Sequence, residues 1–136
     1  SAQYSSKHGT VSRPQAELYM AFTDMRNFVA MLPEERKKDV TADFDTITAT
    51  VQGFTIGVRV TRREPYIYIE LQDNGAPFHF MVSLHFAEAS EQGKTDFWID
   101  LVADLNVMMK MMIGGRIKPA LDKVVDAVLR LRLAVL

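Results

Sequence analysis

From Val40 to Leu105 apolar side chains recur at every second position, and only short turn sequences break the rhythm. A period of two places one row of side chains on one face of a pleated strand, so the chain is a run of antiparallel strands sharing one apolar face. Gln52-Gly53 reads as a two-residue hairpin turn pairing Val51 with Phe54, Ala49 with Ile56 and Ile47 with Val58. Glu64-Pro65 reads as a second tight turn pairing Arg62 with Ile67, Val60 with Ile69 and Val58 with Leu71. Val58 and Val60 are inward in both readings, so two independent turns select the same face. After the Asp73–Pro77 loop, Phe78, Phe80, Val82, Leu84 and Phe86 form one row. After Ser90-Glu91-Gln92-Gly93, Phe97, Ile99, Leu101, Ala103 and Leu105 form the next. Strands are expected over 47–51, 54–63, 66–72, 78–88 and 95–104, with a short one around Val40–Ala42.

The flanks are different. Gln3 to Ser12 reads as an edge strand. Ser12-Arg13-Pro14-Gln15 carries helix-start signals: an N-cap serine, a proline for the first turn and a capping-box glutamine. That helix runs through Phe22, Thr23-Asp24 breaks it, and a short second helix continues through Phe28 and Leu32 to Pro33. Glu34 to Asp39 carries both signs of charge and reads as a solvated connector. Asn106 is a good N-cap for a long helix over roughly 107–133, whose apolar stripe runs Ile113, Ile117, Leu121, Val124, Val128 and Leu131. Gly114, Gly115 and Pro119 predict a kink or break between Met112 and Lys118.

A one-faced meander needs a cover, and the C-terminal helix is the one element large enough. The expected fold class is therefore α+β: a curved antiparallel sheet of six to seven strands around a long C-terminal helix, with two short helices after the first strand. With 136 residues, the chain is one domain, 1–136. A net charge of −1 argues against binding of nucleic acid or anionic membranes by bulk electrostatics, and no nucleic-acid partner is expected. There is no cysteine, which excludes thiolate catalysis and cysteine-held zinc. No apolar run reaches the ~18 residues of a membrane span, so no membrane insertion is expected and a cytoplasmic address is the default. Nucleophile-elbow, phosphate-loop and HExxH motifs are missing, and no cofactor is expected.

The order of elements resembles the START/Bet v 1-like superfamily, the SRPBCC helix-grip fold, over nearly the whole chain. Its local signatures are Ser12-Arg13-Pro14-Gln15, Thr23-Asp24, Arg62-Arg63-Glu64-Pro65, and Ala103-Asp104-Leu105-Asn106 leading into Met108-Met109-Lys110-Met111-Met112. The last stretch is similar to small uncharacterised bacterial SRPBCC proteins. The resemblance implies a cavity between sheet and C-terminal helix that carries a lipid, sterol, quinone, polyketide or plant hormone, or, in a minority of members, serves cyclase chemistry. The expected lining from the sheet is Ile56, Val58, Val60, Ile69, Phe80, Val82, Leu84, Ile99 and Leu101, with Arg62 near the mouth as an anchor for a carboxylate or phosphate. Phe28 and Met31 are expected from the second short helix, and Met108, Met112, Ile113, Ile117 and Leu121 from the long one. The same side chains can instead fill a solid core.

Few of these residues offer acid–base chemistry, so no catalytic residue is expected. A cyclase-like alternative rests on Asp45, Arg62 or Tyr19. His79 and His85 fall on the outer sheet face, His79 opposite Asp104 and His85 opposite Trp98. Glu70, His79 and Asp104 have the ligand types of a metal site, but flat sheet neighbours seldom converge, and a charge ladder is the expectation. His8 reads as solvated. Tyr66, Tyr68, Met81, His85 and Trp98 give that face an aromatic patch suited to a homodimer or partner, or to covering one another as cross-strand pairs.

Overall fold

A computed structural model describes residues 1–51 and 53–131. Where the sequence names glycine turns the chain reverses: Gly53 and Gly93 sit at φ of 81° and 80°, a region side chains other than glycine avoid. The elements are β1 (Ala2–Ser5), β2 (Gly9–Val11), α1 (Gln15–Phe22), α2 (Arg26–Ala30), α3 (Glu34–Lys37), β3 (Val40–Ala42), β4 (Thr46–Val51), β5 (Phe54–Glu64), β6 (Tyr68–Asp73), β7 (Phe80–Glu88), β8 (Thr95–Ala103) and α4 (Val107–Arg130). They form one antiparallel sheet in the order β1-β8-β7-β6-β5-β4-β3, with β2 also paired to β8. The C-terminal helix ends at Arg130, with Leu131 extended as its C-cap, so the expected helix is one residue too long there; the expected residues 132–133 lie outside the described residues.

Among the described residues the sheet has eight strands, because the first expected strand divides in two. At Ser6 the side chain takes over from the backbone ladder: Ser6 Oγ accepts from Ile99 N at 2.8 Å, and Ser6 N donates to Ile99 O at 2.8 Å. Lys7 then turns away, its N–H donating to Asp122 of α4 at 2.6 Å.

The β4–β5 and β7–β8 registers are those the turns predict, including His85 opposite Trp98. Between β5 and β6 the register differs. Val60 pairs with Leu71, the ladder shifts at Thr61, and Arg62 then lies opposite Glu70 and Arg63 opposite Ile69. The turn is a three-residue loop, Pro65-Tyr66-Ile67, with Tyr66 at φ 72°. A tyrosine held there costs about 1 kcal/mol, and α1 secures it: Gln15 Nε2 donates to Tyr66 O at 2.7 Å and to Phe86 O at 3.1 Å. Gln15 is thus a clamp rather than a capping-box residue, and the α1 N-cap is Pro14, not Ser12.

The core gathers on one side of the concave face. Leu18, Phe22 and Met25 pack with Phe86, Phe97, Ile69 and Ile99 of the sheet and with Val125 and Val128 of α4. Each such side chain contributes roughly 1.5–3 kcal/mol of burial. Gly9 brings α4 close to the sheet, since a methyl at that position would lie 2.8 Å from Val125 Cγ1. Asn106 caps α4 by accepting from Met109 N at 2.8 Å. The helix continues without interruption through Gly114, Gly115 and Pro119, so the expected break does not occur. The proline ring meets the carbonyl four residues earlier, and that residue is Gly115, whose open surroundings let the turn adjust.

Candidate functional site

Because α4 packs against β1, β2 and β8, part of the concave face toward β3 and β4 is left open beneath it. A cavity of about 680 Å³ lies there. Phe28, Val29, Met31, Leu32 and Pro33 form one wall, Val40, Ile47 and Ala49 the floor, and Lys123, Val124, Asp126, Ala127 and Arg130 of α4 the other wall. The helical period explains the last set: residues 123, 124, 127 and 130 follow one side of α4 while 121, 125 and 128 enter the core. The charged groups Lys123, Asp126 and Arg130 all come from α4, and Asp126 is ion-paired with Lys7. Lys7 also fixes the neighbouring acid: its backbone N–H, bonded to Asp122, holds that carboxyl below the usual aspartate value, assisted by the Lys118 ammonium at 3.1 Å.

Of the expected lining, Phe28 and Met31 border this cavity. Val58, Val60, Val82, Leu101 and Ile117 are half-buried and pack against the core from its edge, and Ile56 and Ile113 are also half-buried. Ile69, Leu84, Ile99 and Leu121 are buried in the solid core, in one cluster with Leu18 and Phe22 of α1. Phe80 packs on Phe78, with ring centroids 5.6 Å apart, beside a separate hollow of about 320 Å³ that includes Asp73, His79 and Asp104. Met108 and Met112 do not face the cavity; they are 70% and 68% exposed.

Arg62 is not at the cavity mouth. The shift at Thr61 turns it to the outer face, where its guanidinium lies 5.6 Å from the Tyr68 ring centre. The inward arginine is Arg63. Its Nε donates to Thr23 Oγ1 at 2.7 Å, one terminal nitrogen to Thr23 O at 2.7 Å and Phe44 O at 3.3 Å, and the other to Asp45 at 2.8 Å. This fork ties the α1–α2 corner to β5. Asp45 is thereby engaged, and Tyr19 is buried in the core, so the residues named for a cyclase reading stand away from the cavity lining.

The Glu70–His79–Asp104 trio does not assemble. Glu70 lies opposite Ser83 and accepts from Tyr68 Oη at 3.1 Å and Thr61 Oγ1 at 2.8 Å. His79 instead meets Asp73 at 3.0 Å, and Asp73 is held below the usual aspartate value first by the Phe80 N–H and then by His79. Among the described residues no cluster of three or more His, Cys, Asp or Glu could hold a metal ion.

The outer-face aromatics cover one another. Trp98 is stacked between His8, at 4.4 Å and 15°, and His85, at 4.8 Å and 6°, and Tyr68 lies 5.3 Å beyond His85. His8 is therefore not free in solvent but stacked, with Asp96 3.0 Å from its ring nitrogen. Tyr66 does not share this face; it packs edge-on against Tyr19 at 5.6 Å.

A curved antiparallel sheet closed by a long C-terminal helix is the helix-grip fold. Among solved structures the chain is similar to norcoclaurine synthase from Thalictrum flavum, at 9% identity and a TM-score of 0.74, covering 95% of this chain and 84% of that one. It is also similar to protein MLL2253 from Mesorhizobium loti, at 12% identity and 0.69, covering 95% of each. The protein XoxI from Bacillus cereus matches at 10% identity and 0.66, covering 96% and 94%. No family model matches the chain. No curated protein matches it either. At these identities what is shared is the fold, and this fold hosts more than one function. None of the described helices is long and apolar enough to cross a membrane.

Proposed function

We propose that this protein binds and carries a small hydrophobic molecule in the cavity between α2, β3–β4 and α4. The observation that carries the reading is the lining: α2, β3, β4 and α4 all present apolar side chains to a space of about 680 Å³, within the range of small-molecule sites. Burial of the ligand's apolar surface supplies the affinity. Lys123 and Arg130 on the α4 wall favour a ligand whose polar end is anionic. The one carboxylate of the lining, Asp126, is ion-paired with Lys7, and Lys123 and Arg130 are exposed, so the arrangement favours binding over acid–base turnover. Native mass spectrometry of gently purified protein, followed by thermal shift with a fatty acid, a quinone and a sterol, tests the reading. At least one of these is expected to be retained or to raise the melting temperature, and Val124→Trp, which narrows the cavity, is expected to weaken the effect. An empty protein stabilised by none of the three would refute it.

A further inference from the structure

The solvent side of α4 changes character at Pro119. Downstream the helix is charged, with Asp122 on its surface and Lys123, Asp126 and Arg130 along the cavity wall. Upstream, Val107, Met108, Met111 and Met112 are 78%, 70%, 82% and 68% exposed. Successive helical residues are about 100° apart, so these four occupy one arc of about 140°. Gly115 and Pro119 continue that arc for another turn, and the one charge within it, Lys118, is paired with Asp122. Packing does not require these side chains: the inward groups of this half are Met109, Ile113 and Ile117. Soluble surfaces carry single exposed hydrophobes freely, but four large ones on adjacent turns form a patch that a partner covers.

The charge around the patch identifies the partner. Residues 107–121 contain three cations, Lys110, Arg116 and Lys118, and no acid, in a chain whose net charge is −1. Lys118 is engaged by Asp122, whereas Lys110 and Arg116 are exposed beside the apolar arc. A second copy is a poor cover: a two-fold contact through this arc would bring both copies' Lys110 and Arg116 together in a drying interface. An apolar arc edged by cations suits the boundary between acyl chains and anionic headgroups. Methionine suits it further, since an unbranched thioether adapts to an irregular apolar surface. We propose that the N-terminal half of α4 is a peripheral docking surface for an anionic lipid membrane, with Val107, Met108, Met111 and Met112 entering the interface and Lys110 and Arg116 meeting headgroup phosphates. The helix lies on the surface and does not span it. The net charge that argues against bulk attraction leaves this local patch intact, and docking does not depend on what the cavity holds.

The test is co-sedimentation of the full chain with vesicles of phosphatidylcholine alone and of phosphatidylcholine containing about one-third phosphatidylglycerol, at low and high salt. Binding is expected to the anionic vesicles, weaker to the neutral ones, and reduced by salt. Met111→Glu/Met112→Glu is expected to weaken it by about tenfold or more, and Lys110→Gln/Arg116→Gln to remove most of the salt dependence. All four positions are exposed, and an unchanged melting temperature confirms that each variant folds. Met111→Gln provides a milder second variant. No binding to either vesicle, or binding that the methionine variants leave unaltered, would overturn the proposal. So would a stable dimer in analytical ultracentrifugation that Met111→Glu dissociates, because the patch would then belong to a second copy.

Discussion

Arg62 and Arg63 are adjacent in sequence and opposite in consequence, and the contrast gives a sharp test of the β5 shift. Arg63→Ala removes a fork that serves Thr23 twice, through its hydroxyl and its carbonyl, and Thr23 is only 7% exposed. A bond from a charged donor contributes about 1.5–3 kcal/mol, and an abandoned buried acceptor costs about 1–3 kcal/mol. The bonds to Phe44 O and Asp45 lie in exposed surroundings and add little. The expected loss for Arg63→Ala is therefore about 3 kcal/mol. Arg62→Ala removes an exposed contact with Tyr68 and a 3.5 Å pair with Glu64, together worth under about 1 kcal/mol. For a chain of this length, ~3 °C per kcal/mol gives a fall of about 10 °C for Arg63→Ala and at most ~3 °C for Arg62→Ala. Urea unfolding followed by circular dichroism reads both. Arg63→Lys should recover little, since an ammonium cannot reproduce the fork. Equal losses, or a larger loss at Arg62, would mean that β5 runs without the shift at Thr61, and the inward assignment of Arg63 would fail.

Gly57→Ala should lower the melting temperature, because the added methyl would overlap the Asn74 carbonyl and disrupt the bonds between Gly57 and the 74–75 loop; a thermal melt checks it. Asn106→Ala should cost about 1 kcal/mol by removing the α4 cap, read as a shifted urea midpoint with an unchanged slope. Asp122 has its folded value lowered, so its contribution is present above the unfolded aspartate range and is lost as pH falls through the folded value. Asp122→Asn should therefore destabilise the protein at neutral pH and flatten the decline in stability below about pH 4, measured as melting temperature against pH.

The sheet was legible wherever a glycine turn fixed the register. The turn at Gly53 determines the whole β4–β5 ladder, and Ser90 to Gly93 the β7–β8 ladder. The β5–β6 pair was not, because its left-handed turn residue is Tyr66, which carries no turn signal, and because Thr61 in the bulge looks like any strand threonine. Arg62 was placed inward by counting from Val60, and one extra residue reverses that count. The division of the first strand depends on a serine that bonds sideways to Ile99, which follows from tertiary contact alone. Of the cavity, Phe28 and Met31 are among the residues named from the sequence, whereas Val29, Leu32 and Ala127 follow from tertiary packing alone. The exposure of Met108 and Met112 was within reach of the sequence, since steps of 100° carry both to the side opposite Ile117 and Leu121.

The stacking around Trp98 makes the chain's one tryptophan a gauge of how the N-terminal strap is seated. One imidazole, His85, belongs to β7 inside the sheet; the other, His8, belongs to the link between β1 and β2, which is held by Lys7 and Ser6. If the strap lifts, the indole loses one neighbour and gains water on that face while the other remains stacked. Its emission should therefore shift to the red in a first, partial step, before the phenylalanine core melts. A single native chromophore thus separates detachment of the strap from collapse of the sheet, two events that circular dichroism would merge.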